Sequence, residues 1–269
     1  MYLCIKDHRG MKMKNEIKYT ARYFHDTMPE WKRRKDPLIA RVFYRPISFL
    51  GASWCASLGF SANVVSYFSA IVAVISCLCY LPDNKFINLT GAILINFWEV
   101  LDCIDGNLAR SVKKEPFGEF ADAFSSYLLV GIMGICFGYN VYQQGGFIVK
   151  QGHLFMIILG AAFSEADTFM RLVHQKFINT EREMIEENNK DIEMIDIEGG
   201  HHGNKLKHIE ESAGIGGVLP LLILLGTIFH AIDILIFYCA FMYGCLCTGS
   251  VSIYLNKSIK RVSSTLQKQ

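Results

Sequence analysis

The chain has 269 residues, 51% of them hydrophobic and only 19% charged, with a mean hydropathy of +0.25 and a formal net charge of +2. Ordinary soluble domains carry about a quarter charged residues, so this composition points to a membrane protein. It offers no basic face for a nucleic acid. Its nine cysteines, most of them in apolar runs, form neither a disulfide framework nor a zinc-ligand spacing.

In chain order, residues 1–38 read as a basic cytoplasmic segment, with Met11 of MKMKNEIKYT as an alternative start. Residues 39–60 are apolar but interrupted by Arg41, Arg45 and Pro46, the pattern of an amphipathic helix lying on a membrane surface. Residues 61–256 hold six apolar segments: Asn63–Leu81, Asn88–Leu101, Gly118–Tyr139, Leu154–Leu172, Gly214–Phe229 and Ala231–Leu255. About 20 apolar residues cross a bilayer. The expected fold is therefore an all-α integral membrane protein of six transmembrane helices, preceded by the surface helix. No signal peptide is recognisable ahead of the first span.

Charge sets the orientation. With the N-terminus inside, the inner segments hold 25 of the 27 Lys and Arg, and the outer loops hold Lys85 and Lys150. Both termini, including the basic tail 257–269, are then cytoplasmic. The inner stretch 177–212 is an acidic insert with ten acids against four bases. It reads as a short helix and a flexible loop, with His201 and His202 solvated. Gly134 and Gly138, with Gly131 nearby, form a small-residue stripe in the third span, suited either to a homodimer seam or to packing within the chain. The small size, with little outside the membrane core, favours a prokaryotic inner membrane over the endoplasmic reticulum.

The chemistry concentrates in DCIDGNLARSVKKEPFGEFADAFSSY, from Asp102 to Tyr127. Acids at membrane depth are costly, so each is a functional hypothesis by default. Residues three or four apart share a helix face. Asp102 and Asp105 thus point one way from the end of the second span, and Asp122 and Ser126 do so from the start of the third. Pro116 is placed to open that third helix. Three converging carboxylates repel one another and require a positive partner. A hard cation such as Mg²⁺ prefers oxygen ligands and bridges substrate phosphates. Arg110 offers a planar fork to phosphate oxygens, and Gly106, Ala109 and Gly118 leave room for a bulky ligand. Residue chemistry alone gives a metal-dependent site for a phosphate or pyrophosphate ester.

The spacing Asp102, Asp105, Gly106, Ala109, Arg110, Gly118, Asp122 resembles the signature of the CDP-alcohol phosphotransferase (CDP-alcohol phosphatidyltransferase) family. Upstream, LGFSANVVSYFS is similar to the family's segment opening the first span, with Ala62 in place of a proline and Ser66 in place of a threonine, while Asn63 and Val65 stand. The resemblance covers roughly Arg45 to Leu255. It implies a membrane transferase that moves a phospho-alcohol group from a CDP-alcohol donor to an acceptor hydroxyl of a lipid or polyol and releases CMP. The setting would be phospholipid or related glycolipid or polymer synthesis. It implies Asp102, Asp105 and Asp122 as ligands of Mg²⁺ or Mn²⁺, two ions in number. Gly106, Ala109 and Gly118 would admit the cytidine, and a homodimer is expected. Arg171, at the inner end of the fourth span, is a candidate for an acceptor phosphate or simply a snorkelling arginine.

The family signature ends in a fourth aspartate, its general base, where this chain has Ser126. A serine hydroxyl is a poor base near neutral pH. Glu119, Glu99 and Glu165 are the acids that could substitute, with Glu119 three residues before Asp122 on the same helix. The alternatives are an acceptor that needs no base, or a chain that binds nucleotide and transfers nothing. A non-enzymatic membrane protein is a further alternative. A transporter fits less well, because no inverted repeat is visible and the acids gather at one face.

Overall fold

The computed structural model describes residues 3–6, 12–15, 19–188 and 212–266. Two short strands, β1 (Leu3–Lys6) and β2 (Lys12–Asn15), pair antiparallel with Leu3 opposite Asn15. The remaining regular structure among the described residues is helical. Two short helices follow, α1 (Ala21–Thr27), capped by the Thr20 hydroxyl, and α2 (Glu30–Lys35).

The segment expected to lie on the membrane surface is a π-helical turn, Ala40–Tyr44, running straight into α3 (Arg45–Ser57). Pro46 has no N–H to give to the α ladder, and the wider turn takes up the join. One side of this rod is buried through Tyr44, Arg45, Ser48, Ala52 and Cys55. The other exposes Phe43, Ile47, Leu50, Trp54 and Leu58 at three- and four-residue spacing.

The bundle follows. It comprises α4 (Ala62–Leu78), α5 (Lys85–Ser111), α6 (Gly118–Gln144), α7 (Phe155–Asn188), α8 (Leu219–Ile228) and α9 (Ile232–Leu266). Each of the six apolar segments of the sequence coincides with one of these helices. Three of them, α5, α6 and Ile232–Val262 within α9, are long and apolar enough to cross a membrane. Helices α4 and α8 are apolar but shorter, at 17 and 10 residues. At 1.5 Å per residue α8 reaches only about 15 Å, half the hydrocarbon thickness. Helix α7 carries Glu165, Asp167 and Arg171 inside its apolar half.

Helix α4 packs on α5 and α6, α6 on α7, and α7 on α9. Trp98, Tyr80, Tyr243, Phe137 and Phe163 fill the centre. The α6–α7 seam is backbone against backbone. A Cβ built on Gly134 would strike the carbonyl oxygen of Gly160, and one on Gly138 would strike that of Met156. Ser164 stitches the same seam, its hydroxyl donating to the Val130 carbonyl at 2.6 Å and accepting from Gly134 N at 3.1 Å. Gly134 and Gly138 thus serve packing inside the chain, whereas a Cβ on Gly131 would meet nothing within 4 Å.

Two local expectations are corrected. Pro116 does not open α6: the helix begins at Gly118, and Phe117 before it turns the chain with a left-handed backbone, φ 59°. The charged stretch after Leu172 is not a separate short helix. It continues α7 unbroken to Asn188, held on α9 by Arg261 donating to Glu181 at 3.5 Å and by His174 against the Tyr254 hydroxyl at 2.6 Å. His201, His202 and the rest of the acidic insert from 189 to 211 lie outside the described residues.

Candidate active site

The last turns of α5 and the first turns of α6 bring the three aspartates together. One carboxylate oxygen from each of Asp102, Asp105 and Asp122 lies within 4.8 Å of the others. Asp105 is buried, Asp102 half-buried and Asp122 exposed, so the group has a sealed floor and an open side. Helical phase explains the first two, which sit three residues apart on one face of α5. Asp122 joins them because α6 starts only seven residues after α5 ends.

Asp105 is fixed by α4. Ser66 Oγ donates to Asp105 Oδ2 at 2.6 Å. The head of α4 is in turn tied to the loop before α6, where Asn63 Nδ2 donates to the Pro116 carbonyl at 2.8 Å. Gly118 lies directly against this amide: a Cβ there would stand 3.4 Å from Asn63 Oδ1. A cavity of about 420 Å³ opens above the carboxylates, lined by Ala62, Asn63 and Ser66 of α4, Asp105, Gly106, Ala109 and Arg110 of α5, and Gly118, Glu119 and Asp122 of α6. The small residues singled out from the sequence all face this space.

Arg110 folds back over its own helix. Its guanidinium lies across Gly106, where a Cβ would come within 2.9 Å of both Nη atoms, and Nη2 donates to Asn107 Oδ1 at 3.2 Å. Below it stands a pair the sequence reading did not find. Arg45 Nε and Nη2 donate to Asp36 Oδ2 and Oδ1 at 2.7 and 3.1 Å, both residues being buried, and Lys32 Nζ adds a contact to Asp36 at 3.0 Å. Burial alone would raise the Asp36 pKa, but the hydrogen bonds and charge of Arg45, helped by Lys32, hold it below the usual carboxylate range. The one signal in the sequence was Arg45 itself, a charge in an apolar run. Its partner nine residues earlier could not be inferred, because helix phase does not carry across the break between α2 and the π turn.

The remaining candidates are scattered. Ser126 is half-buried and donates to the Ala123 carbonyl at 3.0 Å. Its neighbour Ser125 is the one that enters the core, accepting from Trp98 Nε1 at 2.8 Å and sharing a hydrogen bond with Ser69 at 2.7 Å. Glu119 lines the cavity rim, exposed, and pairs with Lys114 at 3.0 Å. Glu99 is 2% exposed, one turn deeper than Asp102, and its Oε2 has no hydrogen-bond partner. The acid pair of α7 divides. Asp167 is buried and accepts from Arg171 Nε at 2.7 Å, while Glu165 is exposed in a groove of about 410 Å³ between α6 and α7 that shares no residue with the aspartate cavity. Arg171 also lies over the Tyr127 ring, 5.3 Å from its centroid, and does not line the aspartate cavity.

Three carboxylates with no nitrogen or sulfur donor among them suit a hard divalent cation, and the exposed Asp122 leaves it a path in. A guanidinium a turn away suits phosphate. Three of the bundle helices are long and apolar enough to cross a membrane, and such a group of side chains suits metal-assisted phosphate chemistry. Residues 60–188, from the head of α4 to the end of α7, match the family model of CDP-alcohol phosphatidyltransferase. The match contains all three aspartates. Members of that family are membrane-embedded, divalent-metal-dependent transferases of phosphate groups. No curated protein matches the chain.

Proposed function

We propose that the protein transfers a phospho-alcohol group from a CDP-alcohol to an acceptor hydroxyl, with CMP as the leaving group. The acceptor oxygen forms a bond to the phosphorus that carries the alcohol, and the bond from that phosphorus to the oxygen of CMP breaks. The carrying observation is the trio of aspartate oxygens within 4.8 Å, opening onto a cavity lined by Gly106, Ala109, Arg110 and Gly118. Asp102, Asp105 and Asp122 would hold Mg²⁺ or Mn²⁺, two ions in the family's pattern. Bound there, the metal neutralises charge on the pyrophosphate. The Ser66 hydroxyl keeps Asp105 turned towards the trio. Gly106, Ala109 and Gly118 leave room for the cytidine, and Arg110 holds a phosphate oxygen. Glu119, at the rim three residues before Asp122, takes the proton of the acceptor once it leaves Lys114. Arg171 would serve an acceptor phosphate only after releasing Asp167.

In the membrane, all six bundle helices from α4 to α9 are read as spans, α8 crossing only part of the way by itself. The exposed apolar stripe of α3 lies on the inner surface. Both termini face the cytoplasm, with a prokaryotic inner membrane preferred to the endoplasmic reticulum. A homodimer would need a face other than Gly134 and Gly138, which are covered by α7; cross-linking in detergent tests it.

The Ser126 hydroxyl, bound to its own helix, favours a second reading in which nucleotide binds but no transfer follows. The deciding experiment is CMP release from a panel of CDP-alcohols with Mg²⁺, with membrane lipids or polyols as acceptors, for the wild type, Asp105→Asn and Ser126→Asp. Release by the wild type that Asp105→Asn abolishes supports transfer. Release by Ser126→Asp alone supports the second reading. No release by any of the three, with no binding of CDP, would overturn both.

A further inference from the structure

Arg110 faces the cavity, and a single neutral oxygen aims it. Asn107, 2% exposed, receives Arg110 Nη2 at 3.2 Å and Arg45 Nη1 at 3.3 Å on the same Oδ1. Its amide nitrogen donates to Ser48 Oγ at 3.0 Å, and that hydroxyl donates to the Arg45 carbonyl at 2.9 Å. The amide cannot turn over without losing these bonds. Arg45 is gripped from its far side by both oxygens of Asp36. Two guanidiniums therefore meet on one uncharged acceptor, although like charges so close repel.

The two arginines differ in what answers their charge. That of Arg45 is answered by Asp36, whereas Arg110 makes no ion pair among the described residues. A carboxylate at position 107 would bind both forks more strongly. It would also cancel the charge that Arg110 brings to the cavity. An asparagine orients without neutralising, which suits an arginine whose charge is directed at a ligand. Gly106 completes the arrangement, since any side chain there would displace the guanidinium.

We infer that Asn107, braced by Ser48 and Arg45, is a positioning residue that holds Arg110 to receive a phosphate of the CDP-alcohol donor; this rests on the transferase reading above. The test is calorimetric binding of CDP with Mg²⁺ to the full chain in detergent, alongside its thermal stability. Arg110→Ala weakens CDP binding by roughly tenfold or more. Asn107→Asp keeps or raises the unfolding temperature yet weakens CDP binding by a similar factor, roughly tenfold. Ser48→Ala, which only loosens the amide, weakens it about two- to fivefold. A merely structural Asn107 predicts unchanged CDP binding by Asn107→Asp, because both guanidinium bonds survive that change.

Binding by Asn107→Asp within twofold of the wild type overturns the inference, as does wild-type binding by Arg110→Ala. If Asn107→Asp does not fold, unchanged binding by Ser48→Ala overturns it instead. Failure of the wild type itself to bind CDP sinks the transferase reading and this inference together. Wild-type binding with unresponsive variants sinks this inference alone.

Discussion

Helix α6 has an aspartate cluster at one end and a lone aspartate at the other, and the two are treated in opposite ways. At its start, Asp122 meets Asp102 and Asp105, and among the described residues the side-chain donor bonded to the trio is Ser66. Past its end, the loop after Gly145 folds over Asp233, which is fully buried and accepts from the backbone N–H groups of Phe147, Ile148 and Val149 at 3.0, 2.7 and 2.9 Å. The same side chain is saturated with donors in one place and faced by like charge in the other. Buried polar groups in native proteins are normally satisfied. A satisfied carboxylate locks a loop, and a group of carboxylates short of donors is kept for something that arrives later.

The contrast predicts that activity and stability separate by position. Asp105→Asn should lower CMP release by roughly a hundredfold or more, the scale of losing a group that stabilises transferred charge. Its unfolding temperature should stay level or rise, since one repelling charge is gone. A fall in unfolding temperature with activity intact would break the comparison. Asp233→Ala should do the opposite. Leaving three N–H groups without their acceptor costs roughly 2–4 kcal/mol, read in thermal unfolding in detergent, while the folded fraction keeps its turnover.

Smaller effects sharpen the picture. Gly134→Ala forces α6 from α7 and should cost about 1–3 kcal/mol. The Asp36–Arg45 pair gives a pH signature. Because the Asp36 pKa is lowered by folding, its contribution is fully present above the unfolded carboxylate value of about 3.9 and fades as pH falls through the lower folded value. The stability gap between the wild type and Asp36→Asn should therefore be flat above about pH 5 and narrow below about pH 4. A gap that widens on acidification would contradict the assignment. Ser66→Ala should be mildest, about three- to tenfold in turnover.

Much of the site was legible because it is local. Asp102, Asp105, Gly106 and Arg110 fall within two and a half turns of one helix, where spacing alone determines the face. Asp122 and Gly118 followed from the brevity of the link. The support around them was not legible. Ser66 was visible as a substitution, but its bond spans 39 residues between two helices. Asn107, Ser48, Arg45 and Asp36 come from three separate segments, and no periodicity relates them. A short helix was expected at the start of the acidic insert, but its unbroken continuity with α7 was not, because a run of charges reads as lying apart from an apolar span. A helix leaving the bilayer has no need of an apolar stripe once it is long enough to persist and can tie its sides to a neighbour, as Glu181 and His174 do. The glycine stripe was read correctly as a contact surface, but sequence alone could not say whether its partner was α7 or a second chain.

The seam made by Gly134 and Gly160 also bears on how such a protein can diverge. Where backbone touches backbone there is no side chain left to exchange, so a lineage can only keep that seam or lose it. Along α4 and α5 the walls of the cavity include Ser66, Ala109 and Arg110, each replaceable one step at a time. Substrate preference would drift on that side, with α6 and α7 acting as the fixed jaw of an adjustable wrench.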